Sequence, residues 1–366
     1  MKLIFLLIIL FTNTVALAQQ NLPLNLLHLP PGFKISIYAV VPNARQMTLG
    51  SNGTLFVGSR DAGKVYAIIP DAKSPYGTRA LTIASDLNMP NGVAFKDGSL
   101  YVAAVNRILR FDDIENHLNN PPTPVVVTSA FPSASHHGWR YIQFGPDNKL
   151  YIGVGAPCNA CLSKDSRYAT IMRMNADGSN LEIYTQGVRN TVGFDWDPLT
   201  KKLWFTDNGR DWLGDDLPPD EINYAPKPGL NFGYPYCFGK DVAIPVDGKL
   251  YSCEKYTPAT FDLPAHVAPL GLTFYTGKMF PNGYSNQMFI AEHGSWNRSS
   301  KVGYQVIIVK LNDDRTQVKS VKTFINGWLQ GQSAWGRPVD TLVMPDGSLL
   351  ISDDTANVIY RVSWAN

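Results

Sequence analysis

One phrase recurs six times along the 366-residue chain and restricts its fold more than any other feature. Each copy is an apolar run of alternating residues, a turn centred on Asp-Gly, Asn-Gly or a longer loop, and a second run reading like LYV or LWF. The copies occupy residues 46–57, 91–102, 141–154, 192–206, 270–291 and 339–352. Alternation with period two, broken by a turn, specifies a β-hairpin. Further short apolar runs follow the hairpins, such as VYAI at 65–68 and VIYRV at 358–362. Six related hairpins with added strands fit radial repetition of four-stranded antiparallel blades. The expectation is an all-β, six-bladed β-propeller. A large β-sandwich is the competing architecture, but it does not require the phrase to recur.

Residues 1–18 carry Lys2, an apolar core and a small-residue site at Ala16-Leu17-Ala18. That is the pattern of a secretory signal peptide, and the apolar run is shorter than the ~20 residues a membrane span requires. Residues 19–366 are then expected to form one propeller domain, secreted or periplasmic, entered through a short lead-in over 21–36. The polar, proline-rich stretch 112–135 reads as a surface connection. The stretch 211–261, rich in Pro, Gly and Asp, reads as an outer strand with an elaborated loop. A formal charge of +2 without a basic block argues against nucleic acid or an anionic membrane as partner. Four cysteines in an exported chain suggest two disulfides. Cys158 with Cys161 and Cys237 with Cys253 is the pairing favoured by proximity, although three connectivities are possible. Leu162 stands where haem attachment needs His, and no second CxxC supports zinc.

A hairpin puts its turn at one end and both free strand ends at the other. Residues just before each first strand and just after each second strand must therefore ring one mouth of the propeller. Before the first strands lie Arg45, Asn91, His137 with Arg140, Arg189 with Asn190, His266 and Arg337. After the second strands lie Ser59 with Arg60, Asn106 with Arg107, Asn208 with Gly209 and Arg210, Glu292 with His293, and Asp353 with Asp354. A ring of arginines converging on one concavity costs electrostatic self-repulsion, and a polyanionic ligand best explains it. His136 is expected to be merely exposed. The acidic group Asp211, Asp215, Asp216, Asp220 and Glu221 reads either as a hard-cation site or as a solvated loop.

At these residues the chain resembles the quinoprotein sugar dehydrogenases, and most closely their sorbosone and pyranose dehydrogenase group. The words that carry the resemblance are HGWRYIQFGPDNKLYIGVGAPCNAC, GVRNTVGFDWDP, TDNGRDWLGDD, PPDEIN, NFGYPYC, EHGSWNR and GRPVDTLVMPDG, in order from about residue 31 to 362. The resemblance implies a six-bladed propeller holding pyrroloquinoline quinone (PQQ) and Ca²⁺ on its axis. His137 resembles the general base that takes the proton of the sugar hydroxyl, and Arg189 the arginine over the reactive quinone carbonyl. Asn190, Asn208 and Arg337 match cofactor-binding positions; Arg45 and His293 do so only within the sorbosone and pyranose group. Gly209 and Arg210 match positions whose backbone carbonyls bind Ca²⁺.

The chain departs from the glucose-dehydrogenase pattern at three places. Ala156 stands where an Asp would pair with the base, Val339 where a second cofactor Arg would stand, and a cofactor Lys near His293 is absent. His137 then needs another orienting group, and Arg45 and His293 could replace the missing cations. The implied reaction is hydride transfer from a sugar or related polyol, with electrons passing to an external quinone or small redox protein. A lactonase-type propeller hydrolase would instead place Asp, Glu and Asn side chains on the axis, and a non-catalytic binding propeller is the third reading.

Overall fold

Each of the six phrases forms the two innermost strands of one antiparallel sheet, and two further strands complete each blade. The structure, a computed structural model, describes residues 22–71 and 77–365. The signal peptide expected over 1–18 lies outside them. The blades close into a six-bladed β-propeller. The last blade draws on both ends of the described chain. Pro338–Val343, Leu349–Asp353 and Val358–Trp364 are completed by Phe33–Val40, with Phe33 opposite Trp364 and Val40 opposite Val358. The lead-in expected over 21–36 thus contains the start of the strand that closes the ring. Its alternation is visible in FKISIYAV, but its partner lies at the other end of the chain, beyond any local pattern.

Six apolar clusters lie between neighbouring blades, one for each junction. Trp204, Ile222 and Leu263 of the fourth blade meet Leu272, Phe274 and Ile290 of the fifth, for example. A strand buried on both faces has this character, and the clusters are what the alternating runs supply. At the closing junction Phe33 packs edge to face against Phe280, Phe324 and Trp364, with ring centroids 4.7, 5.0 and 4.8 Å away. Phe33→Ala is expected to destabilise the protein by about 3–5 kcal/mol. A lower urea midpoint with an unchanged slope would register this.

Where inner strands converge on the axis, side chains satisfy backbone groups that no ladder reaches. Asp195 accepts from the Phe274 amide at 2.9 Å, Asp340 from the Met47 amide at 2.9 Å, and Thr206 donates to the Leu270 carbonyl at 2.7 Å. Gly193 and Gly271 sit at two such approaches: a Cβ there would run into Leu270 and Asp340 respectively.

The stretch 112–135 is more than a connection, because Val125–Thr128 is the outer strand of the second blade. It is short and exposed, as an edge strand can be, and its polar surroundings conceal it. Within 211–261, Asp220–Ala225 is the third strand of the fourth blade, one place further in than the outer position expected. Leu230–Asn231 pairs in parallel with the edge of the third blade, which thereby gains a fifth strand. The disulfides are Cys158–Cys161 and Cys237–Cys253. Tyr234, Phe238 and Ile244 of the insert pack on Ala156, and the Tyr234 hydroxyl accepts from the Cys161 amide at 3.1 Å. The insert therefore buttresses the CxxC loop. No helix among the described residues is long and apolar enough to cross a membrane.

Candidate active site at the propeller axis

A cavity of about 300 Å³ opens at the expected mouth, lined from five of the six blades. Arg45, His137, Arg189, Asn190, Asn208, Gly209, His293 and Arg337 all line it, as do Arg60 and His266. Residues separated by most of the chain are thus brought to one concavity. Arg210 is part-buried beside it, and its Nε is buried without a hydrogen-bond partner. Its carbonyl and that of Gly209 accept no hydrogen bond from any described residue.

Several mouth residues do other work. Arg140 is wholly buried, donating to the carbonyls of Val105 and Pro132 at 3.0 Å each. Asn91 accepts from Arg45 Nε at 2.8 Å and so links the second blade to the site from outside the cavity. Asn106 lies in the tight turn before the strand Arg107–Phe111, and neither Asn106 nor Arg107 lines the cavity. Of the arginines expected around the mouth, four line the cavity: Arg45, Arg60, Arg189 and Arg337. His136 is exposed as expected, but it also lines the cavity, its ring centroid 4.1 Å from that of His137.

His137 is buried, with φ +48°, over Gly155, where an added Cβ would lie 2.5 Å from the His137 Cβ. Its Nδ1 lies 2.9 Å from the Ala156 carbonyl oxygen. A carbonyl can only accept, so Nδ1 carries the hydrogen and Nε2 keeps the basic lone pair. Burial, with Arg189 and His136 nearby, holds the imidazole pKa well below its usual 6.5. The ring is therefore neutral at pH 7.

Arg189 is clamped on every side. Nε donates to the Asn159 carbonyl at 2.8 Å, Nη2 to Asn159 Oδ1 and Asp211 Oδ2 at 2.9 Å each, and Nη1 to the Asn208 carbonyl at 3.2 Å. Asp207 accepts from the backbone amides of Arg189 and Asn190 at 2.7 Å each, which fixes that dipeptide against the strand Leu203–Asp207. Asp220 plays the same part for Gly209 and Ala268, at 2.7 and 2.8 Å. Sequence reasoning missed Asp207 and Asn159. Asp207 follows directly on LWFT, and its place at a strand end was the available signal.

Arg45 and His293 meet on one carboxylate: Arg45 Nη1 and His293 Nε2 each lie 2.9 Å from Asp354. Burial, opposed by Asp354 and reinforced by Arg337, pushes the His293 pKa down to about 4. In this structure His293 is therefore uncharged at pH 7, and the charge of Arg45 is balanced by Asp354. Arg60 pairs with Asp61 at 2.9 Å and lies 5.0 Å over the Trp139 ring. Arg337 donates to the carbonyls of His293 and Gly294 at 3.0 and 2.7 Å and lies over the Tyr304 ring. It has no carboxylate partner among the described residues. Arg337 is thus the one cavity-lining arginine without an ion-paired carboxylate among the described residues, and it is the position best able to meet an anion.

The acidic group does not gather into a cage. Asp211 holds Arg189 and Asn297, Asp215 holds Ser299, Asp216 pairs with Arg298, and Glu221 accepts from Asn223 and Gly239. Among the described residues no group of three His, Cys, Asp or Glu is placed to hold a metal. Val192, Leu270 and Val339 form a small buried apolar cluster with Trp139 packed against it, and of these Leu270 and Trp139 line the cavity.

A family model for glucose / sorbosone dehydrogenase matches residues 94–356, more than half of the chain. The chain belongs to that family. An uncharacterized protein of Borreliella burgdorferi is 35% identical over 96% of this chain and 94% of its own length. Among solved structures, the holo form of the pyranose dehydrogenase PQQ domain from Coprinopsis cinerea is 18% identical, with TM-score 0.77, covering 92% of this chain and 97% of its own. An iodide structure of a Trichoderma reesei carbohydrate-active enzyme of family AA12 is 20% identical, with TM-score 0.79, covering 93% and 98%. The PQQ-bound aldose sugar dehydrogenase of Streptomyces coelicolor is 20% identical, with TM-score 0.66, covering 92% and 99%. At these identities the three structures show the shared fold. In this member of the dehydrogenase family, the residue that replaces the expected Asp supplies the missing orienting group itself: the Ala156 backbone holds His137. Val339 is buried in the apolar cluster with Val192 and Leu270.

Proposed function

We propose that this chain is a PQQ- and Ca²⁺-dependent dehydrogenase that oxidises a sugar, or a related polyol or aldehyde hydrate, at a CH–OH carbon. The observation that carries the reading is the convergence of His137 with Arg45, Arg60, Arg189 and Arg337 on one axial cavity. Family membership and the PQQ named in two structural relatives support it.

The residues present fit both groups. Guanidinium groups match a tricarboxylate, and two backbone carbonyls free of hydrogen bonds suit a hard cation that takes oxygen ligands. Arg337, Arg45 and Asn208 would hold the quinone, with Asn190 beside it, and Gly209 and Arg210 would hold the calcium. When bound, the quinone supplies a two-electron acceptor for hydride and the calcium a Lewis acid. His137 Nε2 takes the substrate hydroxyl proton as hydride leaves the same carbon. Its neutral state at pH 7 makes that lone pair available. Arg189, immobilised by Asn159, Asn208 and Asp211, presents positive charge where negative charge grows, and needs no reorganisation during the step. Leu270, backed by the buried Val192 and Val339, supplies an apolar part of the cavity wall. Electrons pass to an external quinone or small redox protein. The two disulfides support a secreted or periplasmic location, since such bonds persist in oxidising compartments.

Purified protein incubated with micromolar PQQ and Ca²⁺ is expected to retain the quinone absorbance through gel filtration. It should then reduce an artificial acceptor with members of an aldose panel. Failure to retain the quinone rejects the proposal.

A further inference from the structure

Two tryptophans stand at the lip of the cavity with most of their surface in solvent. Trp212 is 68% exposed and Trp296 is 60% exposed, and Leu213 and Leu217 are exposed beside them. The indoles meet edge to face, centroids 5.0 Å apart and planes at 85°. Trp296 lines the cavity that holds His137 and Arg189, so the pair continues the site outward. An exposed apolar patch joined to a polar cavity marks a binding surface.

The loops that carry the pair are locked together. Asp211, next to Trp212, accepts from Nδ2 of Asn297, next to Trp296, at 2.9 Å. The Ser299 amide donates to Asp215 at 2.9 Å, and Arg298 donates to the Asp215 carbonyl. Trp212 itself holds φ +70°, a conformation a bulky residue adopts only when its surroundings impose it. Neither indole repays this by packing into a core. The structure thus keeps a rigid aromatic platform facing water, which lowers the cost of ordering on binding.

A pyranose ring presents an apolar C–H face between rims of hydroxyls. The platform offers indole faces, while Asn297, His136 and Arg60 supply polar groups in the adjoining wall. The cavity beyond accepts the reacting ring, so the platform meets whatever is attached to it. We propose that Trp212 and Trp296 form a stacking subsite for a second sugar unit, and that the preferred substrates are saccharides of two or more units with the terminal ring in the cavity. This rests on the sugar-oxidising reading above.

Two measurements on the full-length chain separate the two claims. Binding of glucose, xylose, maltotetraose, cellotetraose and xylotetraose is followed by tryptophan fluorescence and calorimetry, with and without PQQ and Ca²⁺. At least one tetrasaccharide is expected to bind about tenfold more tightly than its monosaccharide, the scale of one aromatic stacking contact. Turnover is then compared for wild type, Trp212→Ala and Trp296→Ala. In each variant the ratio of kcat/KM for that tetrasaccharide to kcat/KM for its monosaccharide is expected to fall about tenfold, through KM. Saccharide binding that the variants lose, without turnover of any sugar, would sustain the subsite and reject the dehydrogenase. Turnover with an unmoved ratio, or no tetrasaccharide preference in either state, overturns the subsite alone. Variants that instead slow only the reaction with the electron acceptor would assign the pair to acceptor docking and overturn it too.

Discussion

Replacing His137 with alanine is expected to lower kcat by about 10²–10⁴-fold, the usual contribution of a positioned general base. Retention of PQQ should be unchanged, because the groups assigned to the cofactor lie on other blades. The fold should also persist: the imidazole makes one hydrogen bond, to the Ala156 carbonyl, and Arg140 and the neighbouring backbone stay bonded without it. The pH profile carries an independent signature. Burial holds the His137 pKa below 6.5, so the competent neutral ring persists at pH values where a free imidazole is half protonated. The acid limb of kcat/KM should therefore lie below pH 6.5 in the wild type, and the residual activity of His137→Ala should lack it. A variant that unfolds, or a profile with its acid limb above 6.5, contradicts this assignment.

Arg189→Lys is expected to reduce kcat by about 10²–10³-fold, the range for losing one preorganised donor to developing negative charge. An ammonium group keeps the charge but cannot reach the Asn159 carbonyl, Asn159 Oδ1, Asp211 and the Asn208 carbonyl at once. The charge would be present and misplaced. Steady-state kinetics, with quinone content measured by absorbance and the unfolding midpoint by urea, distinguish this from loss of cofactor or fold. A kcat within threefold of wild type would remove Arg189 from the reaction. The clamp also gives the Cys158–Cys161 loop a purpose, since both oxygens of Asn159 face Arg189.

The hairpins were legible because both strands, their turn and their alternation lie close together in the chain, within 12 to 22 residues. The mouth residues followed from the geometry of a hairpin, which puts both free ends on one side. Phe33–Val40 and Val125–Thr128 were hidden for different reasons, the first by a partner at the far end of the chain and the second by polar surroundings. Position alone could not separate cavity-lining arginines from structural ones. Arg140 and Arg189 both precede an inner strand, yet the first is bonded to carbonyls in the interior and the second lines the cavity. Nor could position show that Asp354 neutralises Arg45 and engages His293, because three strand ends must meet before those groups are neighbours.

The amino-acid pattern by itself determined the number of blades, the blade-to-blade apolar core and the face on which polar groups collect. All three follow from short-range periodicity, which a chain carries locally. Tertiary structure alone decided which charges are balanced, that a backbone carbonyl at Ala156 orients His137, and that Trp212 and Trp296 share a rim. Those outcomes depend on hydrogen bonds to main-chain atoms and on contacts between distant segments. Every residue type has the same main-chain atoms, so no spacing of letters announces which of them a side chain will find.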